Sequence, residues 1–188
     1  MELLSAPFFL AFSVSRVVFK EIRLAVVGKS PGLMSGESVV ESEIMMLVRR
    51  AIAGAKILLV EDNPVNQEVA LFILEDFGLH VDVAENGSLA LARLQAVASG
   101  HYDLIFMDMQ MPVMDGLTAT QEIRKNPDFG KLPIVAMTAN VTPEDRQGCF
   151  QSGMNDFVSK PIFPEELAKV LLRWIPPRAA GDLAWVAT

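Results

Sequence analysis

The chain is predicted to fold as an α/β protein, a doubly wound parallel sheet of five strands with helices on both faces, carrying an N-terminal extension. Two observations predict it. From Lys56 onward, short apolar runs alternate with helix-period segments, the pattern of a parallel sheet covered on both sides. Each of four runs also stops on a polar group: Ile57 to Val60 on Glu61 and Asp62, Leu104 to Met107 on Asp108, Ile134 to Met137 on Thr138, and Phe157 to Ser159 on Lys160 and Pro161. In an open parallel sheet the loops leaving the carboxyl ends of the strands form the ligand crevice, so these groups converge although they are far apart in sequence.

The strands are expected at 56–61, 80–84, 103–107, 133–138 and 156–159. The first helix has Asn63 as N-cap and Pro64 at its first position, then Val65, Val69, Phe72 and Ile73 on one face and Gly78 as its stop. Asn86-Gly87 turns the chain into a second helix containing Leu89, Leu91 and Leu94. A third follows Gly116 and ends near Asn126-Pro127. The fourth opens on Thr142-Pro-Glu-Asp145, a capping-box-like start with an acid three residues after the cap, and stops at Gly153. The fifth runs from Pro164 to Trp174 and is halted by Pro176-Pro177.

Upstream, 38–53 reads as an amphipathic helix with Val40, Ile44, Leu47, Val48 and Ala51 on one side and Gly54 as a stop. Lys29 to Glu37, rich in Ser, Gly and Pro, reads as a linker, and Glu21 to Val27 fits a strand or a helix equally. The domain plan is therefore an extension over 1–55, a domain over 56–174 and a tail over 175–188. Gly28-Lys29-Ser30 is not a phosphate-binding P-loop, because Arg23 stands where the motif needs its first glycine.

Composition narrows the function. A chain of 188 residues that is 51% hydrophobic can bury one good core. Residues 56–174 carry 17 acids against 9 bases, which argues against a nucleic-acid surface. The lone Cys149 has no disulfide partner or metal-ligand spacing, which suits a reducing cytoplasm. The apolar stretch 6–19 lacks a preceding Lys or Arg, and Arg16, Lys20, Glu21 and Arg23 interrupt it short of the roughly 20 residues that a spanning helix needs. A cytoplasmic chain, soluble or peripheral and without a membrane span, is expected.

The strand-end residues, with Met111-Pro112 and Asp115-Gly116 shaping the loop after Asp108, closely resemble the receiver domain of two-component response regulators over residues 56–174. Val60-Glu-Asp-Asn-Pro-Val-Asn66 and Met109-Gln-Met-Pro112 resemble the receivers of hybrid sensor histidine kinases in particular. The resemblance implies a flavodoxin-like sheet of order 2-1-3-4-5. It implies Asp108 as phosphoacceptor, with Mg²⁺ bound by Asp62, Asp108 and the backbone carbonyl of Gln110, and by Glu61 through water. Lys160 would pair with Asp108 before phosphorylation and with a phosphoryl oxygen afterwards, and the Thr138 hydroxyl would donate to another phosphoryl oxygen. Pro161 would follow a cis peptide. Phe157 stands where receivers carry the aromatic that turns inward with the hydroxyl residue, so Thr138 and Phe157 form the expected switch. The implied partners are a histidine kinase, a histidine-containing phosphotransfer protein docking near the first helix, or a second receiver.

Two other functions compete with this phosphorelay switch. A hydrolase working through an aspartyl phosphate, like haloacid-dehalogenase phosphatases, needs a second acid two residues after the nucleophile, where this chain has Gln110; an amide cannot shuttle the proton. A pseudo-receiver that only binds partners is favoured by loss of a pocket residue, and none is lost. The chain is thus expected to catalyse its own phosphorylation and dephosphorylation rather than to turn over a substrate. No histidine precedes His80, no Gly-rich ATP motif occurs, and the residues after Trp174 are too few for a DNA-binding domain. His80 and His101 have no triad or metal partners.

Overall fold

A computed structural model describes residue 46, residues 48–139 and residues 142–178. The expected alternation is present: β1 (Lys56–Val60), α1 (Pro64–Asp76), β2 (His80–Ala84), α2 (Gly87–Gln95), β3 (Leu104–Asp108), α3 (Gly116–Lys125), β4 (Ile134–Thr138), α4 (Pro143–Ser152), β5 (Asp156–Ser159) and α5 (Pro164–Trp174). All strand pairs are parallel and the order is β2-β1-β3-β4-β5. Strand edges differ from expectation by one residue. β1 stops at Val60, leaving Glu61 in the loop, and β3 runs on through Asp108, whose Cα pairs with Met137. A single 3₁₀ turn, Pro127–Phe129, follows α3 and was not anticipated.

Strand side chains alternate between two layers. Ile57, Leu59, Leu104, Phe106, Val135 and Met137 pack with α1 and α5 on one face, whereas Leu58, Val60, Ile105, Met107, Ile134 and Ala136 pack with α2, α3 and α4 on the other. The central strands β3 and β4 are buried along their whole length, and the edge strand β2 alternates between exposed and covered positions.

Helix α1 corrects one expectation. Its core face is Ala70, Ile73 and Leu74, continued by Phe77, while Val65, Val69 and Phe72 point outward, Phe72 at 77% exposure. The helix carries two apolar stripes, and grouping Ile73 with Val65, Val69 and Phe72 merged them. Its caps are as expected: the Asn63 side chain accepts from the Val65 and Asn66 amides, and Gly78 takes a φ of +75° just beyond the end. At α4 the Thr142 hydroxyl accepts from the Asp145 amide at 3.1 Å and donates to the Asp145 carboxylate at 2.8 Å.

Of the upstream amphipathic helix, residues 48–52 are helical, and Val40, Ile44 and Leu47 lie outside the described residues. Val48, Ile52 and Ala55 enter the layer formed with α1 and α5. The segment is held at the pole opposite the carboxyl ends of the strands. Gly54 donates its amide to the Gly78 carbonyl at 2.8 Å, Arg49 pairs with Asp76, and Arg178 reaches both Asp103 and the Gly54 carbonyl. Ile52→Ala is therefore expected to lower stability by about 2–4 kcal/mol in urea unfolding, whereas Phe72→Ala changes it little.

Tyr102, just before β3, donates its hydroxyl to Asp82 Oδ2 at 2.7 Å. Burial and this bond push the phenol from 10.0 up to about 12. A group whose folded value is raised stabilises the fold below its unfolded value and loses that contribution above it. Stability should fall as pH rises from about 10 to about 12, and Tyr102→Phe should flatten that part of a pH-dependent melting profile.

Candidate functional site

Four strand ends build one pocket. Val60 ends β1 inside the sheet, and the next two residues deliver Glu61 and Asp62 over its edge. Glu61 is 1% exposed and held from several sides: its carboxylate accepts from Asn66 Nδ2 at 2.9 Å and the Asn63 amide at 3.3 Å, and its carbonyl accepts from Gln67 Nε2 at 2.6 Å. The first turn of α1 thus fixes the acid at the end of β1. Asp108, the last residue of β3, is 6% exposed and accepts from the Gln110 amide at 3.2 Å. One oxygen from each of Glu61, Asp62 and Asp108 lies within 4.8 Å of the other two.

Lys160 supplies the opposing charge. Its amide donates to the Thr138 carbonyl at 2.8 Å, continuing the β4–β5 ladder, and its Nζ lies 2.6 Å from Glu61 Oε2 and 2.7 Å from Asp108 Oδ2. Burial disfavours the ammonium, but its bonds to Asp108 and Glu61 outweigh that and hold it above the usual lysine range. The Lys160–Pro161 peptide is cis. Thr138 ends β4, and Phe157 sits half-buried on β5 opposite Ala136.

The loop between Asp108 and α3 requires its glycine. A Cβ on Gly116 would stand 2.2 Å from the Asp108 carbonyl oxygen, and the Gly116 amide donates to the Met109 carbonyl at 3.2 Å. Asp115 caps α3 by accepting from the Thr118 amide at 2.7 Å. Gly116→Ala must push the Asp108 backbone aside, with an expected loss of about 1–3 kcal/mol in urea unfolding. Within the same loop Val113 holds a φ of +70°, an uncommon conformation for a β-branched residue.

Of the residues singled out in the sequence, the structure brings Glu61, Asp62, Asp108 and Lys160 together, sets Thr138 at the end of β4 beside Lys160, and bonds the Gln110 amide to Asp108. The sequence reading missed the polar support of Glu61 by Asn66 and Gln67, which face back from the first turn of α1, and the direct Glu61–Lys160 pair. His80, exposed at the start of β2, and His101, stacked edge-on against Tyr102 at 4.8 Å, lie apart from the pocket. Cys149 is buried with Sγ 3.5 Å from Met109 Sδ, and burial pushes its thiol up.

A parallel sheet of order 2-1-3-4-5 with three clustered carboxylates and a lysine at its carboxyl edge is a flavodoxin-like architecture with an acidic pocket where the strands end. The chain belongs to the response regulator receiver domain family, whose family model matches residues 57–172. Among curated relatives, the sensor protein GacS of Pseudomonas syringae pv. syringae is 41% identical over 122 residues, covering 63% of this chain and 13% of that protein. The hybrid signal transduction histidine kinase L of Dictyostelium discoideum is 39% identical, covering 63% of this chain and 7% of its own length. The chain therefore spans only a small part of these relatives. Among solved structures, the receiver domain of the Pseudomonas aeruginosa PAO1 sensor histidine kinase PA1611, with magnesium coordinated in its active site cleft, is 44% identical with a TM-score of 0.60, covering 65% of this chain and 98% of that one. The Saccharomyces cerevisiae Ssk1 receiver, solved with the histidine phosphotransfer protein Ypd1, is 32% identical with a TM-score of 0.58, covering 65% and 89%.

Proposed function

We propose that Asp108 accepts a phosphoryl group from a phosphohistidine on a partner and that the resulting aspartyl phosphate switches the domain. The observation that carries this reading is the placement of Asp108 Oδ2 at 2.7 Å from the Lys160 ammonium, within an acidic cluster at the carboxyl edge of the sheet. A carboxylate oxygen of Asp108 attacks phosphorus, the phosphorus–nitrogen bond to imidazole breaks, and the leaving nitrogen keeps the electron pair. Lys160 neutralises a phosphoryl oxygen and the Thr138 hydroxyl donates to another. Water later attacks phosphorus and returns the free carboxylate.

The donor set suits Mg²⁺. Three carboxylates crowd together while Lys160 pairs with only two of them, Glu61 and Asp108, and a hard cation with oxygen ligands relieves the excess charge. Asp62, Asp108 and the Gln110 carbonyl would hold it, with Glu61 acting through water, and bound Mg²⁺ would offset charge on the transferring group. The magnesium in the cleft of the PA1611 receiver supports this assignment.

The partner is a histidine kinase or a histidine-containing phosphotransfer protein in a hybrid-kinase relay. The outward stripe of Val65, Val69 and Phe72 on α1, which begins beside the pocket, supports docking there. Residues 37–55 would form an inter-domain linker helix or mediate pairing of receivers, and α4, β5 and α5 would form the readout face. Among the described residues no helix is long and apolar enough to cross a membrane.

Incubation with a phosphorylated histidine phosphotransfer protein tests the reading. Transfer of label to this chain in Mg²⁺, and none in EDTA, is expected. Retention of all label on the donor under both conditions would contradict it.

A further inference from the structure

The Arg146 guanidinium lies over the ring of Phe157, 4.4 Å from its centroid. We propose that Arg146 is a positioning residue that holds the switch aromatic in the arrangement seen here, so that it sets how much phosphorylation must do to move the ring. The inference rests on the reading of Phe157 as part of a phosphoryl-driven switch.

Three observations support it. Phe157 is half-buried on β5, packed partly into the layer beneath α4, and three residues from Lys160, whose amide bonds the Thr138 carbonyl. Movement of the Thr138 loop therefore reaches the ring through one strand pair. Phenylalanine has no hydroxyl with which to hold an outer position by a hydrogen bond, which leaves packing and the ring face as its means of attachment. Arg146 occupies that face from α4, a geometry in which a cation is attracted to the ring. An inward turn of the ring gives up this contact, and the phosphoryl group must offset the loss.

The sign of the effect separates this role from a general charge effect. When the binding-competent state is a minor population, raising that population tightens the apparent affinity in proportion. Removing Arg146 should then tighten binding of a phosphoryl mimic, by about two- to fivefold for an exposed cation–ring contact. Loss of a positive charge near an anion site would instead weaken it.

The test is calorimetric titration of the full chain with beryllofluoride in Mg²⁺, comparing wild type, Arg146→Gln and Arg146→Lys, each with and without Phe157→Leu. The expected result is tighter binding by Arg146→Gln, partial return to wild-type affinity in Arg146→Lys, and no Arg146 effect in the Phe157→Leu background. Unchanged or weaker binding by Arg146→Gln would overturn the proposal, as would an equal gain with Leu at 157. If wild type binds and Asp108→Asn does not, failure of the Arg146 effect sinks only this inference. If wild type itself does not bind, the switch reading falls and this inference falls with it.

Discussion

Asp108→Asn is expected to abolish phosphoryl uptake while leaving the fold intact. The substitution keeps the side chain's shape at the end of β3 and keeps an oxygen facing Lys160, so the packing of this nearly buried position is preserved. What it removes is a nucleophilic carboxylate: an amide oxygen does not form a stable acyl phosphate. One negative charge also leaves a cluster of three acids of which Lys160 pairs with two, which relieves repulsion among the carboxylates. Thermal melting should therefore stay at or above the wild-type temperature, while intact-mass measurement after treatment with acetyl phosphate shows no gain. A destabilised Asn variant would point to a structural role for the Asp108–Lys160 pair that outweighs the relief of repulsion.

Lys160→Met is expected to damage both stability and chemistry. Glu61 is 1% exposed and Asp108 6% exposed, and both rely on the same ammonium at 2.6 and 2.7 Å. Removing one partner of a buried pair leaves charge without its counter-ion, a loss of about 3–5 kcal/mol for a fully buried pair; because Lys160 retains some exposure, about 1–3 kcal/mol is expected. Mg²⁺ should restore more stability to this variant than to wild type, since the cation takes over charge that Lys160 otherwise balances. The linkage has a definite sign. The pair raises the lysine above its ordinary 10.5, so its contribution is complete below that pH and lost as pH rises through the folded value. The methionine variant should lack that alkaline loss. Phosphoryl acceptance from acetyl phosphate should fall by at least about tenfold, in line with loss of a single charged group that stabilises the transferring oxygens.

The strand ends were the most legible part of the sequence because apolar runs and their polar stops share one chain segment. Ile57 to Val60 followed by Glu61 and Asp62 would alone read as a strand running into a solvated turn, and it is the recurrence of polar stops at four strand ends that marks a site. Two caps were equally local, Asn63 and Thr142, whereas Asn86 and Asp115, read only as turn and loop residues, also cap their helices. The α1 face was not legible, because Val65, Val69 and Phe72 repeat at helical spacing as convincingly as Ala70, Ile73 and Leu74 do. Periodicity identifies a stripe but not whether the sheet or solvent lies against it. Lys160 reaching Glu61 as well as Asp108 was hidden for another reason: the residues are nearly a hundred positions apart, and their side chains meet across the carboxyl ends of a sheet in which β3 and β4 separate β1 from β5. The Arg146–Phe157 contact was hidden likewise, since it depends on how α4 lies against β5.

As proposed, the phosphoryl group is carried by Asp108. Trapping with borohydride tests it most directly, because this reagent reduces an aspartyl acyl phosphate to homoserine and leaves free carboxylates untouched. The wild-type chain, treated with acetyl phosphate and Mg²⁺ and then reduced, should yield homoserine at position 108 and at no other aspartate, with the signal lost when Mg²⁺ is chelated. Homoserine at another position, or none at 108 under conditions that phosphorylate a known receiver, would contradict the account.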